Sequence, residues 1–202
     1  MIFQHFKKFK CRKSSLLIAI GILIFTIPFL GGMYKNYVEN QKYQSYLEAL
    51  NNTVTIEDEG APLAANNYVT GDVLGRIKIP AISCDLILSE GAGKEEMKYG
   101  AGHVLGTAYP GQKGNCAIAA HRNDSFGTYF SRLGEVHMGD TVAFEFGTEK
   151  CAYRIYEIFV VTPDDVSVLE PVDDRSTVTL ISCHPKGSNT HRLIVRGELI
   201  EK

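Results

Sequence analysis

Two apolar runs of the chain end on residues able to do acyl-transfer chemistry. TVTLISC (177–183) closes on Cys183, and NCAIAAH (115–121) closes on His121. A third run, HRLIVRGELI (191–200), carries Arg192 nine residues after the cysteine. A thiolate attacks a carbonyl carbon and forms an acyl-enzyme. An imidazole carries the thiol proton to the leaving amine. A guanidinium supplies fixed N–H donors to the oxyanion formed between those steps, and its charge favours the thiolate. A strand end is a rigid mount with an exposed tip, which suits such groups.

Each of these residues has a plainer alternative. Structural cysteines in strands are buried and inert, the reading that fits Cys84, Cys116 and Cys151. His103, His137, His184 and His191 compete with His121, and Arg196 competes with Arg192. Spacing alone does not choose among them. Metal ligation is not indicated, because no CxxC or other close ligand spacing occurs among the five cysteines. The chain is long enough to fold without disulfides, and at most one is expected.

The elements that must position these residues begin near Gly71. Eight strands are predicted at 73–79, 84–90, 103–107, 115–121, 141–147, 151–162, 177–183 and 191–200. Glycine, proline and Asp/Asn turns separate them. Many short strands at close spacing make an all-β barrel or sandwich. Phe126, Phe130 and Leu133 share one face of a predicted helix over 125–136, and a second short turn is expected at 94–100.

The part before Gly71 differs in kind. Lys7, Lys8, Lys10, Arg12 and Lys13 form a basic tail, expected over 1–14. Removing those 5 from 21 basic residues leaves 16 against 23 acids, so the remainder is acidic, about -7. With a net charge of only -2, the whole chain is no strongly basic nucleic-acid binder, and no nucleic-acid partner is expected. Leu16 to Met33 holds 18 residues without a charge, close to the ~20 that cross a bilayer. An uncleaved signal-anchor is expected over 15–33, since the run is long for a signal peptide and no A-x-A site follows it. The positive-inside rule places the N-terminus in the cytoplasm and the rest outside, as a single-pass protein of the cell membrane. A juxtamembrane helix is expected over 34–52, then a linker to residue 70.

TLISC, followed by a short loop and HRLIVRG, resembles the signature of the sortase family. GAGHVLGTAYPGQKGNCAIAAHR resembles the stretch leading into that family's histidine. The resemblance spans roughly residues 73–200 and implies an eight-stranded sortase-type β-barrel as the catalytic domain, 71–202. It implies a nucleophile at Cys183, an acid/base at His121 and an oxyanion-binding arginine at Arg192. It implies cleavage of an LPxTG-like sorting signal between Thr and Gly, with acyl transfer to a pilin lysine or a cell-wall precursor. The partners implied are secreted proteins with a C-terminal sorting signal, an amine acceptor, and the membrane through residues 16–33. No cofactor or metal is implied. Calcium-using members carry acidic residues in a connection comparable to Asp164, Asp165, Glu170, Asp173 and Asp174, which read here as a solvated loop.

Two departures from the pattern occur. Ser182 stands where the family has threonine, keeping the hydroxyl. His184 follows the cysteine directly and reads as a loop residue pointing away from it. CHPKGSNTHRLIVRG and PDDVSVLEP are similar to the pilus-assembling class C group. The linker lacks that group's Asp-Pro-aromatic lid motif, and no second span is expected, so the resemblance is to a lidless class C-like or a class D-like enzyme. An L,D-transpeptidase would have a glycine before its cysteine, where this chain has Ser182.

Overall fold

The computed structural model describes residues 7–54, 68–122, 129–146 and 149–202. The expected linker lies largely outside the described residues. A single helix, α1 (Lys7–Val54), covers both the expected span and the expected juxtamembrane helix. It is long and apolar enough to cross a membrane, and Leu16, Leu17, Ile22, Phe25 and Phe29 leave their side chains exposed. The chain divides into two compact units, Met1–Val38 and Glu39–Lys202.

The second unit holds the barrel. Its strands are β1 (Val73–Ile79), β2 (Cys84–Glu90), β3 (Ala101–His103), β4 (Gly114–Ala119), β5 (Thr141–Phe146), β6 (Glu149–Val161), β7 (Ser176–His184) and β8 (His191–Glu201). They close in the order β1-β2-β3-β4-β7-β8-β6-β5. The β2–β3 and β4–β7 pairs are parallel, and the others antiparallel. Closure of β1 on β5 requires Gly75. Its φ is +152°, and a Cβ there would collide with the carbonyl oxygen of Glu145.

The interior is filled by alternate residues of each strand, as the two-residue period requires. Leu74, Ile77, Leu88, Phe144, Tyr153 and Val195 are among them, each at most 1% exposed. β4 and β7 form a parallel pair covered on both sides, which explains why both read as continuous apolar runs. Outside the barrel wall, Asn115 donates through Nδ2 to the carbonyl of Val168. Its Oδ1 accepts from Thr179 at 2.7 Å and Thr177 at 3.3 Å. That buried amide ties the β6–β7 connection, with its short 3-10 turn Val166–Leu169, down onto β4 and β7.

Several expectations change in detail. The helix predicted over 125–136 is absent from its described part, where only a 3-10 turn, Leu133–Glu135, occurs. Tyr129 has a left-handed φ of 60°, which interrupts an α-helix, while Phe130 and Leu133 still reach the core. β3 begins and ends earlier than predicted, because residues 104–107 close a turn through Thr107 N–H to the carbonyl of Val104. The short turn expected at 94–100 is a 3-10 turn, Glu96–Lys98.

The polar helix segment after Val38 is not simply solvated. Glu39 is only 6% exposed and accepts a hydrogen bond from the backbone N–H of Ile87 at 3.1 Å. Arg76 approaches the same carboxylate and lies over the ring of Tyr43. Tyr46 donates to the carbonyl of Leu74. A buried N–H left without such an acceptor would cost about 1–3 kcal/mol, so Glu39 completes the wall of the barrel.

Candidate active site

Strand periodicity sets the site. On β7, Val178 and Leu180 point into the core, so Ile181 and Cys183 share the outer face. On β8, Leu193 and Val195 are core residues, leaving Arg192 and Ile194 outside. On β4, Cys116, Ile118 and Ala120 belong to the core, and Ala119 faces out. The parallel register pairs Ala119 with Ile181, and His121 and Cys183 each follow that pair by two residues along the chain. The antiparallel register pairs Cys183 directly with Arg192. β7 and β8 thus set Cys183 opposite Arg192 on the outer face, and His121 follows the end of β4, the strand paired with β7.

Cys183 is half-buried and its thiol is free. The thiol donates to Oδ1 of Asn189 at 3.4 Å. The same oxygen accepts from Nη1 of Arg192 at 2.9 Å. Nη1 also donates to the carbonyls of His191 (3.0 Å) and Asn189 (3.4 Å). The side chains of Cys183 and Arg192 therefore meet through a carboxamide from the 185–190 connection. Sequence reasoning passed over Asn189, since a polar residue in a short loop carries no periodic signal.

His121 lies just past β4 instead of closing it. Its carbonyl accepts from the N–H of Phe130 at 3.0 Å, and the ring of Tyr129 meets its imidazole edge-on at 5.9 Å. No direct hydrogen bond links His121 to Cys183 among the described contacts; the parallel β4–β7 register ends two residues before each of them. Ser182 secures that register by donating its hydroxyl to the carbonyl of Ala120 at 2.8 Å. The hydroxyl that Ser182 shares with threonine is therefore in use. Arg122 adds a second tie. Its Nη1 donates to the carbonyl of Cys183 and to Nδ1 of His184, both at 3.2 Å. Its guanidinium packs against Gly134, where a Cβ would collide with it. Arg122 stood inside the quoted motif without an assigned role. His184 is accordingly not a free loop residue: it ends β7, pairs with His191 and is held by Arg122.

Beyond the Cys183–Arg192 pair the outer face forms a cleft of about 190 Å³. Ala119, Ile181 and Ile194 make its floor, Val166 and Val168 its wall, and Arg192 stands at one end. The competing residues are engaged elsewhere. Arg196 pairs with Glu157 at 3.4 Å and lies over Phe159. His103 is buried on the far side of β4 against Glu90. His137 is exposed near Asp140, and His191 contacts Thr190. The acidic residues of the β6–β7 connection are dispersed. Asp165 caps the Val166–Leu169 turn, Asp173 meets Arg175, and Asp174 meets Lys113. Among the described residues no group of three or more His, Cys, Asp or Glu could hold a metal ion.

The four barrel cysteines differ in a way that labelling reads directly. Burial pushes the Cys116 thiol well above its ordinary range and that of Cys151 up to about 11, while Cys84 is simply enclosed. With iodoacetamide at pH 8, Cys183 is expected to be the first of these four to be modified, with Cys84, Cys116 and Cys151 intact until the protein is denatured. Peptide mass spectrometry checks this, and early labelling of Cys116 or Cys151 would contradict the buried placement.

The sortase-domain family model matches residues 77–200, nearly the whole barrel. The chain is 27% identical to Sortase D of Bacillus subtilis over 146 residues, covering 71% of this chain and 72% of that protein. It is 28% identical to Sortase A of Streptococcus agalactiae, covering 91% and 81%. Among solved structures, a Clostridium perfringens Sortase D5 transpeptidase superposes with a TM-score of 0.68 at 30% identity, over 81% of this chain and 99% of that one. A barrel closed in this order, a family match along nearly all of it and these structural neighbours lead to one assignment: the chain belongs to the sortase family of transpeptidases.

Proposed function

We propose that the protein cleaves an LPxTG-like sorting signal between Thr and Gly and transfers the new acyl end to an amine. The observation that carries this reading is Cys183 facing Arg192 across the β7–β8 ladder, with Arg192 lining an apolar cleft on the same outer face. An extended peptide lying in that cleft would bring its carbonyl to the sulfur. Cys183 gives its proton to His121, and the sulfur bonds to the threonine carbonyl carbon. Arg192 donates to the oxyanion of the tetrahedral intermediate. His121 returns the proton to the glycine nitrogen as the C–N bond breaks, leaving a thioester. An incoming amine, a pilin lysine or a cell-wall precursor, attacks the thioester, loses its proton to His121 and restores the thiol. This sequence needs no metal or organic cofactor.

Residues 16–33 anchor the enzyme in the cell membrane, with the basic tail in the cytoplasm and the barrel outside. A secreted substrate held in the same membrane by its own apolar tail would meet the site at high effective concentration. The similarity to both D-type and C-type sortases leaves two acceptors to separate, the wall precursor and the pilin lysine.

The test is to incubate the full chain in detergent with a sorting peptide and hydroxylamine. A hydroxamate ending at threonine and a released glycine peptide are expected, with no product from a cell-wall stem tetrapeptide. A panel of sorting peptides that gives no hydroxamate would sink the reading. So would turnover of the tetrapeptide.

A further inference from the structure

Asn189 stands between the two groups that the proposed chemistry must bring into action. Arginine only donates hydrogen bonds, so the end of the carboxamide facing Nη1 of Arg192 at 2.9 Å is its oxygen. That fixes the atom facing the sulfur as well: the same Oδ1 accepts from the Cys183 thiol at 3.4 Å. An acceptor aimed at a thiol favours the protonated form over the thiolate. Nη1 of Arg192 is meanwhile spread over Asn189 and the carbonyl of His191. The 185–190 connection is braced to hold this arrangement. Ser188 N–H donates to the carbonyl of Pro185, Thr190 donates to the carbonyl of His184, and Gly187 N–H reaches the carbonyl of Arg122.

We propose that Asn189 is a positioning residue that latches Cys183 and Arg192 in a resting pair, the thiol hydrogen directed to the carboxamide and the guanidinium turned to the loop. The latch opens when a substrate strand enters the cleft and takes over the guanidinium. This role rests on the reading of Cys183 as the nucleophile.

Two substitutions of this exposed side chain pull in opposite directions. Asn189→Ala removes the acceptor and frees Arg192 to approach the sulfur, so the thiolate gains. Asn189→Asp places a carboxylate against the sulfur and holds Arg192 more firmly, so the thiolate loses. The other charged and titratable groups on the elements around the sulfur are His184 on β7, Lys186 in the same connection, His191 on β8, His121 and Arg122 past β4, and Asp165 along the cleft. Both substitutions leave these residues in place, so the two variants differ only in what stands at position 189.

The experiment measures iodoacetamide labelling of Cys183 at pH 6, 7 and 8 in the full chain in detergent, with kcat and KM for a sorting peptide alongside. At pH 7, labelling is expected to be about two- to tenfold faster in Asn189→Ala and slower by a similar factor in Asn189→Asp, the weight of one hydrogen bond. The labelling profile should move to lower pH in the first and higher pH in the second. A loop merely loosened by substitution would shift both variants the same way; that result, or no shift in either, overturns the latch. Labelling needs no substrate, so a failed peptide assay with oppositely shifted profiles overturns the proposed function while supporting the latch.

Discussion

Replacing Cys183 with alanine is expected to lower hydroxamate formation by about 10⁴-fold or more, to the uncatalysed background. Replacing Arg192 with lysine is expected to lower kcat/KM by about 10²–10³-fold. The first loss follows from covalent chemistry, since without the sulfur no thioester forms. The second follows from shape. Lysine keeps the charge but not the planar fork that fixes donors toward a developing oxyanion. Directly paired residues on one face of an antiparallel ladder have their β-carbons about 4.5–5.5 Å apart, so Arg192 reaches a carbonyl held on the sulfur. Arg196 serves as the control. It lies on the same strand and outer face but is engaged by Glu157 and Phe159, and Arg196→Lys should change kcat/KM by no more than about threefold. Steady-state kinetics on a sorting peptide, with melting curves to show each variant folded, separates these outcomes. Equal damage at 192 and 196 would remove Arg192 from its proposed role.

The strands and the residues proposed for the site were legible in the sequence. Apolar runs bounded by turn residues located the strands, and the family pattern selected Cys183, His121 and Arg192 from their competitors. What stayed hidden depends on contacts distant in sequence. Glu39 looks like one more polar residue on a solvated helix, and only the fold shows it meeting the unpaired N–H of Ile87. The apolar spacing of Phe126, Phe130 and Leu133 reads as helical, yet the left-handed Tyr129 breaks the helix while two of those side chains still reach the core. β3 is three residues long, and its pairing with β2 is parallel, so no hairpin signal marks its ends. Arg122 and Asn189 act through single hydrogen bonds to Cys183, and no periodicity records a single bond.

The largest expected effect on stability lies away from the cleft, at Glu90 and His103. Glu90 is 2% exposed and His103 1%. Nδ1 of His103 meets both carboxylate oxygens at 3.1 and 3.2 Å. Nε2 meets the carbonyl of Ala108 at 3.0 Å and the hydroxyl oxygen of Thr107 at 3.1 Å. The Thr107 hydroxyl hydrogen is committed to the carbonyl of Val104 at 2.7 Å, so that oxygen is an acceptor, and it also takes the N–H of Ala117. Nε2 faces acceptors alone and is therefore the donor to them, while Nδ1 faces the carboxylate. Tyr109 stacks on the imidazole at 4.8 Å, and burial, then the nearby Glu90 charge, push its hydroxyl above the usual tyrosine range. The network joins the ends of β2 and β3 to the 104–113 connection and to β4, the strand that leads into His121. Removing one partner leaves the other buried and uncompensated, at a cost of about 3–5 kcal/mol. Glu90→Ala and His103→Ala should each lower Tm by about 6–20 °C on that scale. Glu90→Gln keeps an acceptor for Nδ1 and should cost clearly less. Replacing both residues with leucine should recover part of the loss, because no uncompensated buried charge then remains, although the Ala108 carbonyl loses its donor. Thermal melting followed by circular dichroism measures all four variants, and single losses below about 1 kcal/mol would show that the pair is not what holds β3 between its neighbours.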